Sequence, residues 1–106
     1  MLFRSSWMEG TVTFINVLDV DPERQQELIA LLKEGTEEVI RHRPGFVSLT
    51  LYASADGKRV VNVAEWRSAE DVAATREDPA AQEYAKRTAR VATAAASLCS
   101  VVGRWG

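Results

Sequence analysis

The dipeptide Asp56-Gly57 lies between two runs of β-forming residues, 46–53 and 59–66. An Asp-Gly pair in this position is a strong hairpin signal, because glycine readily adopts the positive φ angle that a tight turn requires. The sequence therefore predicts two adjacent antiparallel strands in the middle of a chain of 106 residues. The segments on either side of this hairpin decide the fold.

A strand and a helix are predicted before the hairpin. Residues 11–20 alternate in polarity and are rich in β-branched side chains, which is typical of a strand. Asp21-Pro22 then opens a helix, with the acid as N-cap and the proline at the first helical position. Apolar residues follow at helical spacing, and Pro44-Gly45 ends the helix after Arg43.

A broken helix and a last strand are predicted after the hairpin. Ser68 and the Asp78-Pro79 pair both have the character of helix N-caps. We therefore expect a short helix to about Glu77 and an alanine-rich helix that continues to about Ala96. Residues 98–105 are predicted as the fourth strand.

The resulting order is β-α-β-β-α-β, the ferredoxin-like split βαβ arrangement of an α+β protein, with strands one and three in the centre of the sheet. Two helices cover one face of such a sheet. The central strands are nevertheless apolar on both faces: Leu18 and Val60 lie on one, and Val17 and Val61 on the other. Burial of the second face favours a second copy of the chain, so we expect a homodimer.

Charge and composition exclude several functional classes. The formal net charge is −2 and there is no run of Lys or Arg, so no nucleic acid is expected as a partner. No stretch approaches the roughly 18 apolar residues that span a bilayer, so we expect no membrane partner. The start of the sequence lacks the apolar core of a signal peptide, so we expect a cytoplasmic location. Residues 1–10 are predicted to be a flexible leader and residues 11–106 a single domain.

Polar and aromatic side chains interrupt the apolar face of the central strands. Asn62 and Trp66 are in phase on strand three, and Asn16 is in phase with Phe14 on strand one. An unsatisfied buried amide costs about 1–3 kcal/mol, so two of them on central strands are unusual. Either these residues are satisfied core residues, or they line a pocket for a flat ligand.

The other candidate groups offer little chemistry. Tyr84 lies in the alanine-rich helix, where its hydroxyl reaches either the surface or the same pocket. His42 is the only histidine and is expected to be a solvated helix end. With one histidine and Cys99 as the only cysteine, no metal site of the His/Cys type can form. If the protein is an enzyme, the reactivity must therefore come from the substrate, from O2 or from a bound cofactor.

Three segments carry a family resemblance that extends from about Thr11 to Trp105. The run Val60–Ser68, the segment Phe14–Val17 and the Pro44-Gly45-Phe46 tripeptide resemble the antibiotic biosynthesis monooxygenase family. The resemblance implies the dimeric α+β barrel fold. Asn62 together with Trp66 is similar to the members that oxidise polycyclic phenols and anthrones to quinones with O2, without a cofactor or a metal.

The resemblance also implies roles for individual residues. Asn62 and Trp66 would be catalytic: the amide polarises a substrate carbonyl, and the indole stacks on the ring and assists the oxygen step. The substrate-binding residues would be Asn16, Phe14, Tyr84 and Val72. Two positions depart from the family pattern, since Val72 stands where some members have tyrosine and Ala85 where some have arginine.

Two alternatives remain open at this point. Haem-degrading members of the same family use an asparagine on strand one, the tryptophan of strand three and a helical histidine that binds the haem iron. Asn16 and Trp66 fit this set. Tyr84 stands at the position of the iron-binding histidine. The other alternative is a non-catalytic small-molecule-binding protein or a polyketide cyclase-type accessory protein of the same fold.

Overall fold

The computed structural model describes residues 10–106. The predicted leader, residues 1–10, lies outside this range except for Gly10, so its flexibility stays a prediction. Seven helices and strands are found in the described residues, and they are numbered here in chain order: β1 Val12–Val20, α1 Gln25–Glu38, β2 Phe46–Ala53, β3 Arg59–Trp66, α2 Ala69–Glu77, α3 Pro79–Ala89 and β4 Ala92–Cys99.

The four strands form one antiparallel sheet in the order β2-β3-β1-β4. This order confirms the predicted ferredoxin-like α+β fold, with strands one and three in the centre. The predicted hairpin joins β2 and β3, and Gly57 in its turn has a φ of 79°. Both predicted helix starts are also present: the side chains of Ser68 and Asp78 accept hydrogen bonds from the backbone N–H groups of Asp71 and Ala81.

The prediction for the last strand was wrong in position. The structure has β4 at Ala92–Cys99, whereas the sequence predicted a helix to about Ala96 and a strand over 98–105. Alanine is the best helix former, so the run of alanines favoured a helix. Pairing with residues 13–20 of β1 overrides this preference, and α3 ends at Ala89.

The first helix also ends earlier than predicted. α1 stops at Glu38, because Val39 leaves helical geometry with a φ of −128°. A separate 3-10 turn, Ile40–His42, completes the connection, so the segment to Arg43 is not one continuous helix. A second 3-10 turn, Pro22–Arg24, precedes α1 and is capped by the side chain of Asp21.

The core lies between the sheet and the helices, on the face that carries the even-numbered residues of β1 and β3. Leu18, Leu28 and Val60 are fully buried there. A second buried cluster consists of Ala64, Trp66 and Val72, and it lies toward the opposite end of β3. The site described below lies between these two clusters.

The other face of the sheet keeps apolar side chains partly exposed. Ile15, Val17, Val61 and Val63 are only half-buried on the central strands, and Tyr52 on β2 is 57% exposed. This apolar outer face agrees with the strand phases read from the sequence. Among residues 10–106, no helix is long and apolar enough to cross a membrane.

Candidate functional site

A cavity of about 400 Å³ lies between the sheet and the helices. The central strands β1 and β3 form its floor, and α1, α2 and α3 form its walls. Its lining is mainly apolar. All six residues that the sequence singled out for a site lie in this lining: Phe14, Asn16, Asn62, Trp66, Val72 and Tyr84.

Asn16 and Asn62 stand directly opposite each other on the two central strands. Residues paired in this way have their Cβ atoms about 4.5–5.5 Å apart. The side-chain oxygen of each is buried and accepts no hydrogen bond from residues 10–106. Of the two sequence interpretations, the structure therefore favours a pocket lining over a pair of amides that satisfy each other within the core.

Trp66 forms one end of the cavity. Only 4% of it is exposed, and Phe46 packs against its ring edge-on, with 5.6 Å between the ring centroids. This contact holds the indole in one orientation, while the residue still lines the cavity. Phe14 lies across the strand pair from Ala64 and adds a second aromatic surface. A planar ligand can therefore contact aromatic side chains on this floor.

Short side chains create the space. Ala94 and Ala96 of β4 lie beside Leu18 and Asn16 of β1, and both are exposed, so the cavity opens to solvent along β4. Gly35 of α1 meets the ring of Tyr84, where an added Cβ would come within 3.2 Å of the ring. Sequence reasoning missed the role of the alanines because it placed them on a helix. Residues 94–96 are all alanine, so the local sequence carries no alternation that could have revealed a strand.

The hydroxyl of Tyr84 is hydrogen-bonded to a carboxylate of α1. It donates a hydrogen bond of 2.6 Å to Glu34 on α1, and the guanidinium of Arg87 lies over the ring. The bond to Glu34 is the main cause of a raised pKa of Tyr84, and the charge of Arg87 partly opposes it. Tyr84 therefore lines the cavity with its ring and stays a neutral phenol at physiological pH.

Two polar residues of α2 that the sequence analysis did not select also line the cavity. Thr75 is 6% exposed, and its hydroxyl oxygen has no hydrogen-bond partner among residues 10–106. Arg76 is exposed, and its guanidinium carbon lies 5.3 Å from the centre of the Phe14 ring. Both follow Val72 at helical spacing, which was the available signal that they share its face.

The cavity holds few groups that can titrate. Its lining within residues 10–106 includes no carboxylate, histidine or cysteine side chain. His42 lies outside it, where a ring nitrogen is 3.0 Å from the carbonyl oxygen of Glu37. No group of three or more His, Cys, Asp or Glu residues in the described chain is placed to hold a metal ion. The arrangement can bind, orient and polarise a ligand, but it offers no strong base.

Comparisons with known proteins identify the family of this chain. The model of the family described as antibiotic biosynthesis monooxygenase matches residues 11–87. The tetracenomycin-F1 monooxygenase of Streptomyces glaucescens is 43% identical over 94 residues, which cover 89% of this chain and 84% of that protein.

Solved structures share the fold at lower identity. Rv0793 from Mycobacterium tuberculosis superposes with a TM-score of 0.77 at 24% identity, covering 91% of this chain and 99% of that one. SnoaB, a cofactor-independent oxygenase from Streptomyces nogalater, has a TM-score of 0.74 at 22% identity, covering 90% and 96%. From the family match and the 43% identical relative, this chain belongs to the antibiotic biosynthesis monooxygenase family.

Proposed function

We propose that this protein is a cofactor-independent monooxygenase that oxidises a polycyclic aromatic substrate, of the polyketide-like anthrone or naphthol type, to a quinone with O2. The observation that carries the proposal is the pair of facing amides, Asn16 and Asn62, whose buried oxygens have no partner in a largely apolar cavity. A ligand that brings ring surface and hydroxyl groups, which can donate to the amide oxygens, satisfies both features at once. The relative at 43% identity is a monooxygenase, which favours the same reaction class here.

Asn62 is assigned the electrostatic role. A side-chain amide has both donors and an acceptor and can present either to a ligand. When its NH2 group faces a substrate carbonyl, it stabilises the enolate that forms as the substrate loses a proton. Asn16, opposite it, then accepts a hydrogen bond from a neighbouring substrate hydroxyl. The proton leaves to water at the open side of the cavity, since no carboxylate or imidazole of residues 10–106 lines it.

The remaining steps need O2 but no further reagent. The electron-rich carbanion gives one electron to O2, and the resulting radical pair combines to form a carbon–oxygen bond. Protonation gives a hydroperoxide. Cleavage of the O–O bond with loss of the hydrogen that remains on the reacting carbon releases water and leaves the quinone carbonyl. The substrate loses two hydrogens and gains one oxygen, and the other oxygen of O2 leaves as water.

The aromatic and apolar residues are assigned to substrate binding and orientation. Trp66, fixed by Phe46, stacks on the ring system and holds the reacting carbon near the amides. Phe14, Val72 and the ring of Tyr84 exclude water from the other sides. Exclusion of water strengthens the hydrogen bonds of both amides to the developing charge.

The haem alternative is less well supported by the residues. Among the described lining residues, only Tyr84 corresponds to an iron ligand, and its hydroxyl is bonded to Glu34 with a raised pKa. A phenolate ligand would require this hydroxyl to lose both its proton and its partner. Asn16 and Trp66 are compatible with either reaction, so they do not distinguish the two.

We also propose that the protein forms a homodimer through the outer face of its sheet. The half-buried Ile15, Val17, Val61 and Val63 would then be removed from water. Size-exclusion chromatography with light scattering should give twice the chain mass for the wild type and one chain mass for Val63→Lys. Ala73→Lys, on the exposed side of α2, is the matched control and should remain dimeric. A monomeric wild type at micromolar concentration would contradict the proposal.

The cytoplasmic location also remains our proposal. Fractionation of cells that express the chain should recover it in the cytosolic extract rather than with membranes or in the medium.

Oxygen consumption with dithranol, a hydroxylated anthrone, tests the proposed reaction. The wild type should consume O2 above the rate of non-enzymatic autoxidation, with no loss of rate in the presence of EDTA. With ¹⁸O2, mass spectrometry should find one labelled oxygen in the product carbonyl. A cyclase-type protein would instead convert an uncyclised polyketide substrate without consuming O2.

Variants test the assigned residues in the same assay. Asn62→Ala should lower kcat by about 100-fold, as expected when a hydrogen bond to a developing oxyanion is removed. Trp66→Phe should lower kcat/KM, whereas Trp105→Phe, whose indole is 90% exposed, should leave the rate unchanged. Unchanged turnover in both Asn62→Ala and Trp66→Phe would show that the residue roles are wrong.

A further inference from the structure

Among residues 10–106, five arginines have a carboxylate partner within 4.0 Å: Arg24, Arg41, Arg43, Arg59 and Arg87. Arg76 is the arginine that lines the cavity, and its guanidinium has no ion pair or hydrogen bond among residues 10–106. The residues three and four positions away on its helix are not acidic, so local pairing is not available to it.

The guanidinium of Arg76 lies against an aromatic ring although it has no ion pair. The guanidinium carbon is 5.3 Å from the centre of the Phe14 ring, within the range of a cation–π contact. Arg87 provides a contrast, since it lies 4.9 Å from the centre of the Tyr84 ring but also pairs with Glu34 at 3.5 Å. Arg76 thus has the same stacked arrangement with its hydrogen-bond donors still available.

The surroundings of Arg76 connect it to the amide pair. Phe14 and Asn16 are alternate residues of β1 on one face, so their Cα atoms are about 7 Å apart along the strand. A fused aromatic skeleton can extend from the amides past Phe14 to the guanidinium. Thr75, the neighbouring residue of α2, adds a buried hydroxyl without a partner in the same lining.

We propose that Arg76 binds a carboxylate attached to the aromatic substrate, and that this protein therefore prefers acidic polycyclic substrates over neutral ones. This inference rests on the proposed function for the identity of the ring system. A planar guanidinium matches the two oxygens of a carboxylate. A carboxylate on an aromatic ring is ionised at neutral pH, whereas a phenol, with a pKa of about 10, is not. Recognition at the exposed side of the cavity leaves the reacting carbon near Asn62 and Trp66.

Binding without turnover provides the first test. Calorimetric titrations under anaerobic conditions compare two ligands, 1-hydroxy-2-naphthoate and 1-naphthol. The wild type should bind the naphthoate about five- to tenfold more tightly. Arg76→Gln should bring the ratio of the two affinities close to one, mainly by weakening the binding of the naphthoate, and an unchanged melting temperature shows that the variant is folded. Arg76→Lys should keep part of the preference, because it keeps the charge without the planar fork.

A matched variant and salt provide the controls. Arg90→Gln removes an equal charge from the end of α3, outside the cavity lining, and should keep the full preference. In the wild type, added salt should weaken the binding of the naphthoate but not that of 1-naphthol, because it screens the ion pair. No preference in the wild type, or an equal loss in Arg76→Gln and Arg90→Gln, would overturn the inference.

The result separates this inference from the proposed reaction. If Arg76→Gln abolishes the preference but neither ligand nor dithranol supports O2 consumption, the carboxylate site stands and the monooxygenase proposal fails. If O2 is consumed but the ligand preference is the same in wild type and Arg76→Gln, the reaction stands and the role of Arg76 fails.

Discussion

Asn16 and Asn62, the only two asparagines of the chain, are direct partners across the central strands β1 and β3. Neither side-chain oxygen has a hydrogen-bond partner among residues 10–106. A protein selected only for stability would place apolar side chains at such positions, as it does two residues away at Leu18 and Val60. The pair is therefore better explained by a ligand than by folding.

This arrangement predicts a gain in stability when the amides are removed. Asn62→Leu and Asn16→Leu each replace an unsatisfied buried amide with an apolar side chain of similar size, and each should raise the free energy of unfolding by about 1 kcal/mol. Urea denaturation measures this change. Turnover in the oxygen assay should fall in both variants.

Thr13→Val is the control for that experiment. Thr13 is also buried on β1, but its hydroxyl donates to the carboxylate of Glu65 at 2.9 Å. Its removal should therefore lower the free energy of unfolding by about 1 kcal/mol. If the two Asn→Leu variants lose stability as Thr13→Val does, the amides already have partners within the folded chain.

The cavity itself leads to a second prediction. Ala96 lies beside Asn16 on the exposed edge of the cavity, so Ala96→Leu narrows the opening without displacing a buried side chain. The apparent KM for dithranol should rise about tenfold with little change in thermal stability. Ala73→Leu, on the exposed side of α2, is the matched control and should change neither. An unchanged KM in Ala96→Leu would mean that the ligand enters elsewhere.

The central strands were predictable because two independent signals agree there. The Asp56-Gly57 turn predicts the pairing of β2 and β3, and the two-residue period of a strand puts Asn16 in phase with Phe14 and Asn62 in phase with Trp66. The ferredoxin-like strand order then makes β1 and β3 neighbours, and from this Asn16 and Asn62 were expected to line the same pocket. The family resemblance then added the expected chemistry of Asn62 and Trp66.

β4 and the polar residues of α2 were not predictable in the same way. Alanine carries a helix preference but little information about a face, and only pairing with β1 makes Ala92–Cys99 a strand. Arg76 could be placed on the face of Val72 by its spacing. Its contact with Phe14 joins residues far apart in the chain, and local sequence patterns do not specify such contacts.

A third prediction concerns haem. Because the pKa of Tyr84 is raised, chiefly by its hydrogen bond to Glu34, the phenolate that would bind iron is disfavoured at neutral pH. Titration of the protein with haemin should give no sharp Soret shift that saturates at one equivalent. Any weak absorbance change should be the same in Tyr84→Phe. A one-to-one shift that disappears in Tyr84→Phe would support the haem-degrading alternative instead.

The last prediction concerns the pH dependence of the hairpin turn. One oxygen of Asp56 accepts the backbone N–H of Lys58 at 2.9 Å and the hydroxyl of Ser54 at 2.7 Å, and these bonds lower the pKa of Asp56. A carboxyl whose pKa is lower in the folded state stabilises the fold above its unfolded pKa of about 3.9, and this contribution is lost as the pH falls through the folded pKa.

The melting temperature of the wild type should therefore exceed that of Asp56→Asn at pH 7. The difference should shrink as the pH is lowered below about 4, and it should be smaller throughout in a Ser54→Ala background, where one donor is missing. A difference that stays constant from neutral to acidic pH would show that the charge of Asp56 does not contribute to the stability of the turn.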